Sequence, residues 1–104
     1  MPRLTTITPE FVDTVPPDDE LKDGVIYISE KYSCAIHMCA CGCRVKTVMP
    51  INYKQEDGTM TTFGWDYTWV ATDSVSVTFS PSVGNMQFPC KSHYFIRNNK
   101  IEWC

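Results

Sequence analysis

Soft metal ligands crowd into two short stretches of this chain. His37, Cys39, Cys41 and Cys43 fall at every second position of His37-Met38-Cys39-Ala40-Cys41-Gly42-Cys43. Cys90 and His93 follow at Cys-x-x-His spacing after Pro89. Two separated Cys/His clusters in one small chain predict a metal, Zn2+ above all, clamped between two parts of the fold. Four ligands fill a structural zinc site, and three plus water fill a catalytic one, so six candidates are too many. Cys39, Cys41, Cys43 and Cys90 rank first as thiolates, and His93 next. His37 ranks last as a ligand and suits a supporting or proton-carrying role beside the metal. The plainer alternative is a set of buried reduced thiols. Packing alone does not account for such clustering.

Geometry restricts how the first cluster works. Two sulfurs on one tetrahedral zinc stand roughly 3.8 Å apart. Residues i and i+2 of a straight strand are roughly 6.8 Å apart. The chain must therefore curl at 39–43, and Gly42 permits a tight knuckle there. Cys90 and His93 meet more easily, at i, i+3 in a turn that begins at Pro89. Cys34 and Cys104 have no motif around them and read as ordinary packing residues.

The remaining candidates are polar. Ser80-Pro81-Ser82-Val83-Gly84-Asn85 reads as a compact loop that could offer a hydroxyl or backbone N–H groups, although an ordinary turn is the simpler reading. Ser92 and His93 are adjacent, but adjacency does not make a dyad, because triads are defined by geometry. Trp65, Tyr67 and Trp69 alternate, and core packing is the default for such a stripe. No His-Glu-x-x-His motif is present, and no acid stands out as a general base.

The elements that position these groups read as strands. Segments 25–29, 32–39, 45–53, 60–72 and 74–80 are rich in β-branched and aromatic residues or alternate in polarity. Residues 92–97 and 100–104 predict a terminal hairpin, because Asn98-Asn99 tolerates the positive φ of a two-residue turn. Before residue 24 the chain reads as irregular, with a short helix starting at Thr8-Pro9-Glu10 and stopped by Pro16-Pro17. The expected fold is mainly β: a small antiparallel sheet or barrel-like domain over 24–104, with the zinc site between two loops and 1–23 as an irregular N-terminal segment.

Composition bounds the function classes. The 104 residues fit one domain, with 43% hydrophobic residues to fill a modest core and 20% charged. A net charge of −3 without a basic stripe argues against nucleic acid. No apolar run reaches the ~20 residues of a membrane span. The absence of an apolar leader predicts a cytoplasmic setting with reduced thiols. A thiol-redox protein is disfavoured, because no Cys-x-x-Cys occurs.

Three blocks, HMCACGCRV, SPSVGNMQFPC and KSHYFIRNNKIEW, together resemble a small bacterial family of about one hundred residues. That family carries His-x-Cys-x-Cys-Gly-Cys, then Pro-Ser-Ile/Val-Gly-Asn, then Pro-Cys-x-Ser-His-Tyr. The likeness runs from about Gly24 to Trp103. Arg44 replaces an expected glycine and Met86 an expected aromatic, and neither is a candidate ligand. Members resemble components of bacterial ubiquitin-like conjugation operons, some linked to phage defence. The resemblance implies a zinc-dependent peptidase that trims or removes a ubiquitin-like tag. It implies Zn2+ at 39–43 and 90–93, with His37, Ser82, Asn85, Ser92 and His93 lining a cleft. The implied partners are a ubiquitin-like protein or its conjugates and the operon's activating and conjugating enzymes.

The expectation is a hydrolase cleaving a peptide or isopeptide bond. Zinc would polarise the carbonyl or supply hydroxide, His37 or His93 would move the proton, and Asn85 or backbone N–H groups would hold the oxyanion. A variant takes Ser82 as the nucleophile and leaves the zinc structural. The alternative, which the spacing favours when taken alone, is a zinc-ribbon-like interaction module whose closed thiolate shell does no chemistry.

Overall fold

Alternating polarity builds most of this fold. In the segment Ser92–Arg97, Ser92, Tyr94 and Ile96 are buried while His93 and Arg97 face solvent. Lys46–Pro50 buries Thr47 and Met49 in the same way. A strand with one apolar face needs a partner layer, and this chain supplies it from its other strands. The computed structural model describes residues 4–42, 45–62, 64–71, 75–80, 82–85 and 92–103, with Asn85 described by its backbone alone.

Among these residues lie nine strands and one short 3-10 turn at Asp18–Glu20. The strands are β1 (Thr8–Phe11), β2 (Val25–Ser29), β3 (Cys34–Met38), β4 (Lys46–Pro50), β5 (Asp66–Ala71), β6 (Val75–Ser80), β7 (Val83–Asn85), β8 (Ser92–Arg97) and β9 (Lys100–Trp103). They form a four-stranded sheet in the order β1-β2-β3-β4, a pair β5-β6, and a three-stranded sheet β7-β8-β9. All pairings are antiparallel except β1 with β2, so the first sheet is mixed. The fold is thus mainly β, divided among small sheets, with almost no helix.

One apolar cluster joins all three sheets. Ile26, Ile28, Met49, Val77, Phe79, Val83, Tyr94, Ile96 and Ile101 belong to it. A smaller cluster of Leu21, Tyr27 and Met38 covers the other face of β2 and β3. That double burial explains why β2 reads as a continuous apolar run rather than as an alternating one.

Three local expectations change. Thr8-Pro9-Glu10 starts no helix, because it pairs in parallel with β2 as strand β1. Pro9 is tolerated because β1 is a sheet edge, where a missing N–H costs little. The 1–23 segment therefore carries a strand of the first sheet. The expected loop at 80–85 holds strand β7. The aromatic stripe divides: Trp65 and Tyr67 pack against the core, while Trp69 is 51% exposed, its ring centroid 5.6 Å from that of Phe11.

The terminal hairpin forms as expected, with Asn98 at φ 51 and Asn99 at φ 64. Asn99 also ties this hairpin to β6. Its Oδ1 accepts from Val77 N at 2.8 Å, and its Nδ2 donates to the Val75 carbonyl at 2.7 Å.

Candidate active site

Strand periodicity sets the geometry of the site. β7 pairs with β8 so that Val83 lies opposite Tyr94, Gly84 opposite His93 and Asn85 opposite Ser92. Val83 and Tyr94 both point into the core. Side chains one position away must point outward, so Ser82 shares the outer face with Gly84 and His93. Ser82 Oγ lies 2.6 Å from His93 Nε2, a hydrogen bond within reach of solvent. The Trp65 indole N–H donates to the Ser82 carbonyl at 3.3 Å and holds the residue just ahead of β7. A Cβ at Gly84 would stand 3.9 Å from His93 Cδ2, so the glycine keeps the ring's flank open.

This pair has the layout of an activated nucleophile. A serine hydroxyl is weakly nucleophilic until a neighbouring base takes its proton. An imidazole nitrogen at hydrogen-bond distance is the usual base. Which ring nitrogen carries the proton follows from the tautomer: as acceptor, Nε2 leaves the proton on Nδ1.

Behind the pair, on the inner face of β8, sits a buried polar contact. The Tyr94 hydroxyl lies 2.7 Å from His37 Nε2, and the Ala40 N–H donates to the same hydroxyl at 3.4 Å. His37 Nδ1 has no hydrogen-bond partner among the described residues. Burial disfavours the charged ring and lowers its pKa to about 4. The strand that carries His93 is thereby hydrogen-bonded to the turn that carries the first cysteines.

That turn curls as its glycine allows. Gly42 takes φ +89, its N–H donates to the Cys39 carbonyl at 3.1 Å, and the Cys39 N–H donates to Val45 O at 2.9 Å. The sulfurs of Cys39 and Cys41 come to 3.5 Å, much farther apart than the ~2.05 Å of a disulfide. Among the described residues, no three His, Cys, Asp or Glu side chains converge on one metal position. Cys43 and Cys90 lie outside the described residues, as does Cys104.

The expected site residues therefore divide. Ser82 and His93 meet. Cys39 and Cys41 meet. His93, expected as a metal ligand, directs Nε2 at Ser82, because the outward face of β8 delivers it there. His37 is wholly buried on β3 and bonded to Tyr94, out of reach of a solvent-borne substrate. Ser92 is buried on the face of β8 opposite His93. Asn85 is placed only by its backbone, opposite Ser92, and its side chain lies outside the described residues. The missed feature was the Ser82–His93 contact. A signal for it exists in Ser82-Val83-Gly84, where small polar or absent side chains flank one apolar residue with a period of two.

Comparison with known proteins bears on the chemistry. The sequence model of a family described as "Bacterial ubiquitination-like system serine protease (BubE)" matches residues 11–104. Neither the curated proteins nor the solved structures gave a match. A serine protease does its chemistry through a hydroxyl. The expectation of zinc-dependent cleavage is therefore overturned, and with it the reading of the chain as a zinc module without chemistry. The expectation of a hydrolase, and the link to a bacterial ubiquitin-like system, are borne out.

Proposed function

The chain belongs to the family of serine proteases of bacterial ubiquitination-like systems, and we propose that within it Ser82 is the nucleophile and His93 the general base. The 2.6 Å contact between Ser82 Oγ and His93 Nε2 on an exposed face carries this reading. Ser82 Oγ attacks the scissile carbonyl carbon, and its proton passes to His93 Nε2. The tetrahedral intermediate then expels the leaving group, which takes that proton from His93, and an acyl-serine remains. Water attacks the acyl group with His93 again as base, freeing the acid and restoring the serine. The substrate is the C-terminal region of a ubiquitin-like protein, as a precursor or a conjugate. His37 takes no proton from the substrate; it holds the inner side of β8 through Tyr94.

The test uses a ubiquitin-like protein with a C-terminal extension, and a fluorophosphonate probe. Ser82→Ala and His93→Gln should each lower kcat/KM by roughly a thousandfold or more. The probe should label the wild type and leave Ser82→Ala unlabelled. Cleavage that persists in Ser82→Ala would overturn the assignment.

Zinc keeps a narrower role in this proposal, as a tie for the cysteine turn. The 3.5 Å between the sulfurs of Cys39 and Cys41 is close to the ~3.8 Å of two thiolates on one tetrahedral zinc. Cys43 and Cys90 are the further ligands proposed from the sequence. Elemental analysis should give one zinc per chain, and a chelator should lower Tm. Purified, folded protein without zinc would refute the tie.

A further inference from the structure

The three-stranded sheet treats its two edges differently. The outer side of β9 is covered by the N-terminal segment: Thr6 bridges Lys100, Ile7 N–H donates to Asn99 O at 2.8 Å, and Ile101 N–H donates to Thr5 O at 2.9 Å. β7, at the other edge, has β8 as its only strand neighbour among the described residues. That edge begins one residue after Ser82, beside the proposed nucleophile. An open edge presents N–H and C=O groups to any extended chain that comes alongside.

Gly84 lies in the middle of this edge. Its φ is outside the left-handed region, so the backbone does not demand glycine. Among the described residues, the nearest atom to a Cβ there would be His93 Cδ2, at an ordinary contact distance of 3.9 Å, so packing against these residues does not demand it either. What the missing side chain leaves is open surface on the exposed flank of His93. A glycine inside a strand often marks a place where another chain approaches closely.

Building on the Ser82–His93 reading, we propose that the edge of β7 is the docking strand for the substrate's extended tail. The tail residues upstream of the scissile bond run toward Ser82, whereas β7 runs away from it. The pairing is therefore antiparallel. Three strand residues span about 10 Å, enough for the three tail residues before the cleaved bond. The middle one crosses Gly84. Main-chain hydrogen bonds hold the tail, and the body of the ubiquitin-like protein stays clear of the strand edge.

The test is an N-methyl scan. The probe is the C-terminal hexapeptide of the same ubiquitin-like protein, ended in aminomethylcoumarin. Each of the three residues before the cleaved bond is N-methylated in turn. In an antiparallel pair alternate N–H groups face the partner strand. Methylation should therefore cost about tenfold in kcat/KM at alternate residues, the loss of one hydrogen bond, and under about twofold at the others. Equal effects at all three, or none, would overturn the proposal. So would a hexapeptide left intact under conditions where the full-length substrate is cut. Ser82→Ala with the same peptides separates the two ideas: if it still releases coumarin, the nucleophile assignment falls, whatever the scan shows.

Discussion

His37 shows how much one residue's role depends on its surroundings. In the sequence it heads a row of ligands, and a proton carrier is a fair reading of it. In the fold it is wholly buried, bonded to Tyr94, with its pKa lowered to about 4 by desolvation. The unfolded ring titrates near 6.5, so below that pH the unfolded chain binds a proton that the native chain refuses. Stability is then full above pH 6.5 and declines as pH falls toward 4, by up to about 1.4 kcal/mol per pH unit from this residue. Urea midpoints measured at pH 7, 6 and 5 should fall in that order. His37→Gln should begin lower, having lost the imidazole's fit, but should show a flatter decline. An equal slope in both chains would refute the role of His37. Cys39 and Cys41 were legible as a pair because the knuckle is local and Gly42 announces it. Ser82 and His93 were each legible as candidates but not as partners, since eleven positions separate them and only strand pairing closes the gap.

At the scale of elements, the best-read feature is the Asn98-Asn99 hairpin, where turn chemistry is written into adjacent residues. The two asparagines nevertheless differ. Asn98 supplies a tolerated φ and a backbone N–H to Thr78 Oγ1, and glycine keeps both. Asn99 adds two side-chain hydrogen bonds to β6. Asn98→Gly should change stability by under about 0.5 kcal/mol. Asn99→Gly should cost about 1–3 kcal/mol, because two backbone groups of β6 lose their partner. Thermal unfolding of both variants checks this, and equal losses would show that the turn alone matters. β7 and β1 were misread for one shared reason. Each is a short edge strand with Pro or Gly nearby, so local propensity is weak and a distant partner decides. Thr8-Pro9 has good helix-start chemistry but no periodic apolar face behind it. Parallel pairing with β2 therefore prevails.

For the whole molecule, the shared core matters more than surface charge. Lys46–Asp18 and Arg97–Glu102 are exposed pairs, worth about 0–1 kcal/mol each. By contrast, Ile26, Met49, Phe79, Tyr94 and Ile101 bring all three sheets into one apolar cluster. Among the described residues, the one separate cluster, Leu21, Tyr27 and Met38, is too small to hold a sheet alone. Unfolding should therefore be a single transition, with tryptophan fluorescence and far-ultraviolet circular dichroism superimposing in urea. Two resolved transitions would show that a sheet unfolds independently.

Residue order alone carries the mainly β character, the curl from Cys39 to Gly42 and the terminal hairpin. Each follows from alternation or turn residues within a few positions. It also carried the likeness to a ubiquitin-like pathway family, in three short motifs. It took strand pairing and packing to bring His93 Nε2 beside Ser82 and to bury His37 against Tyr94. The side a strand residue faces depends on its register with a partner, and a shift of one position reverses it. For β7 and β8, that register is set by Val83 and Tyr94 entering a common core.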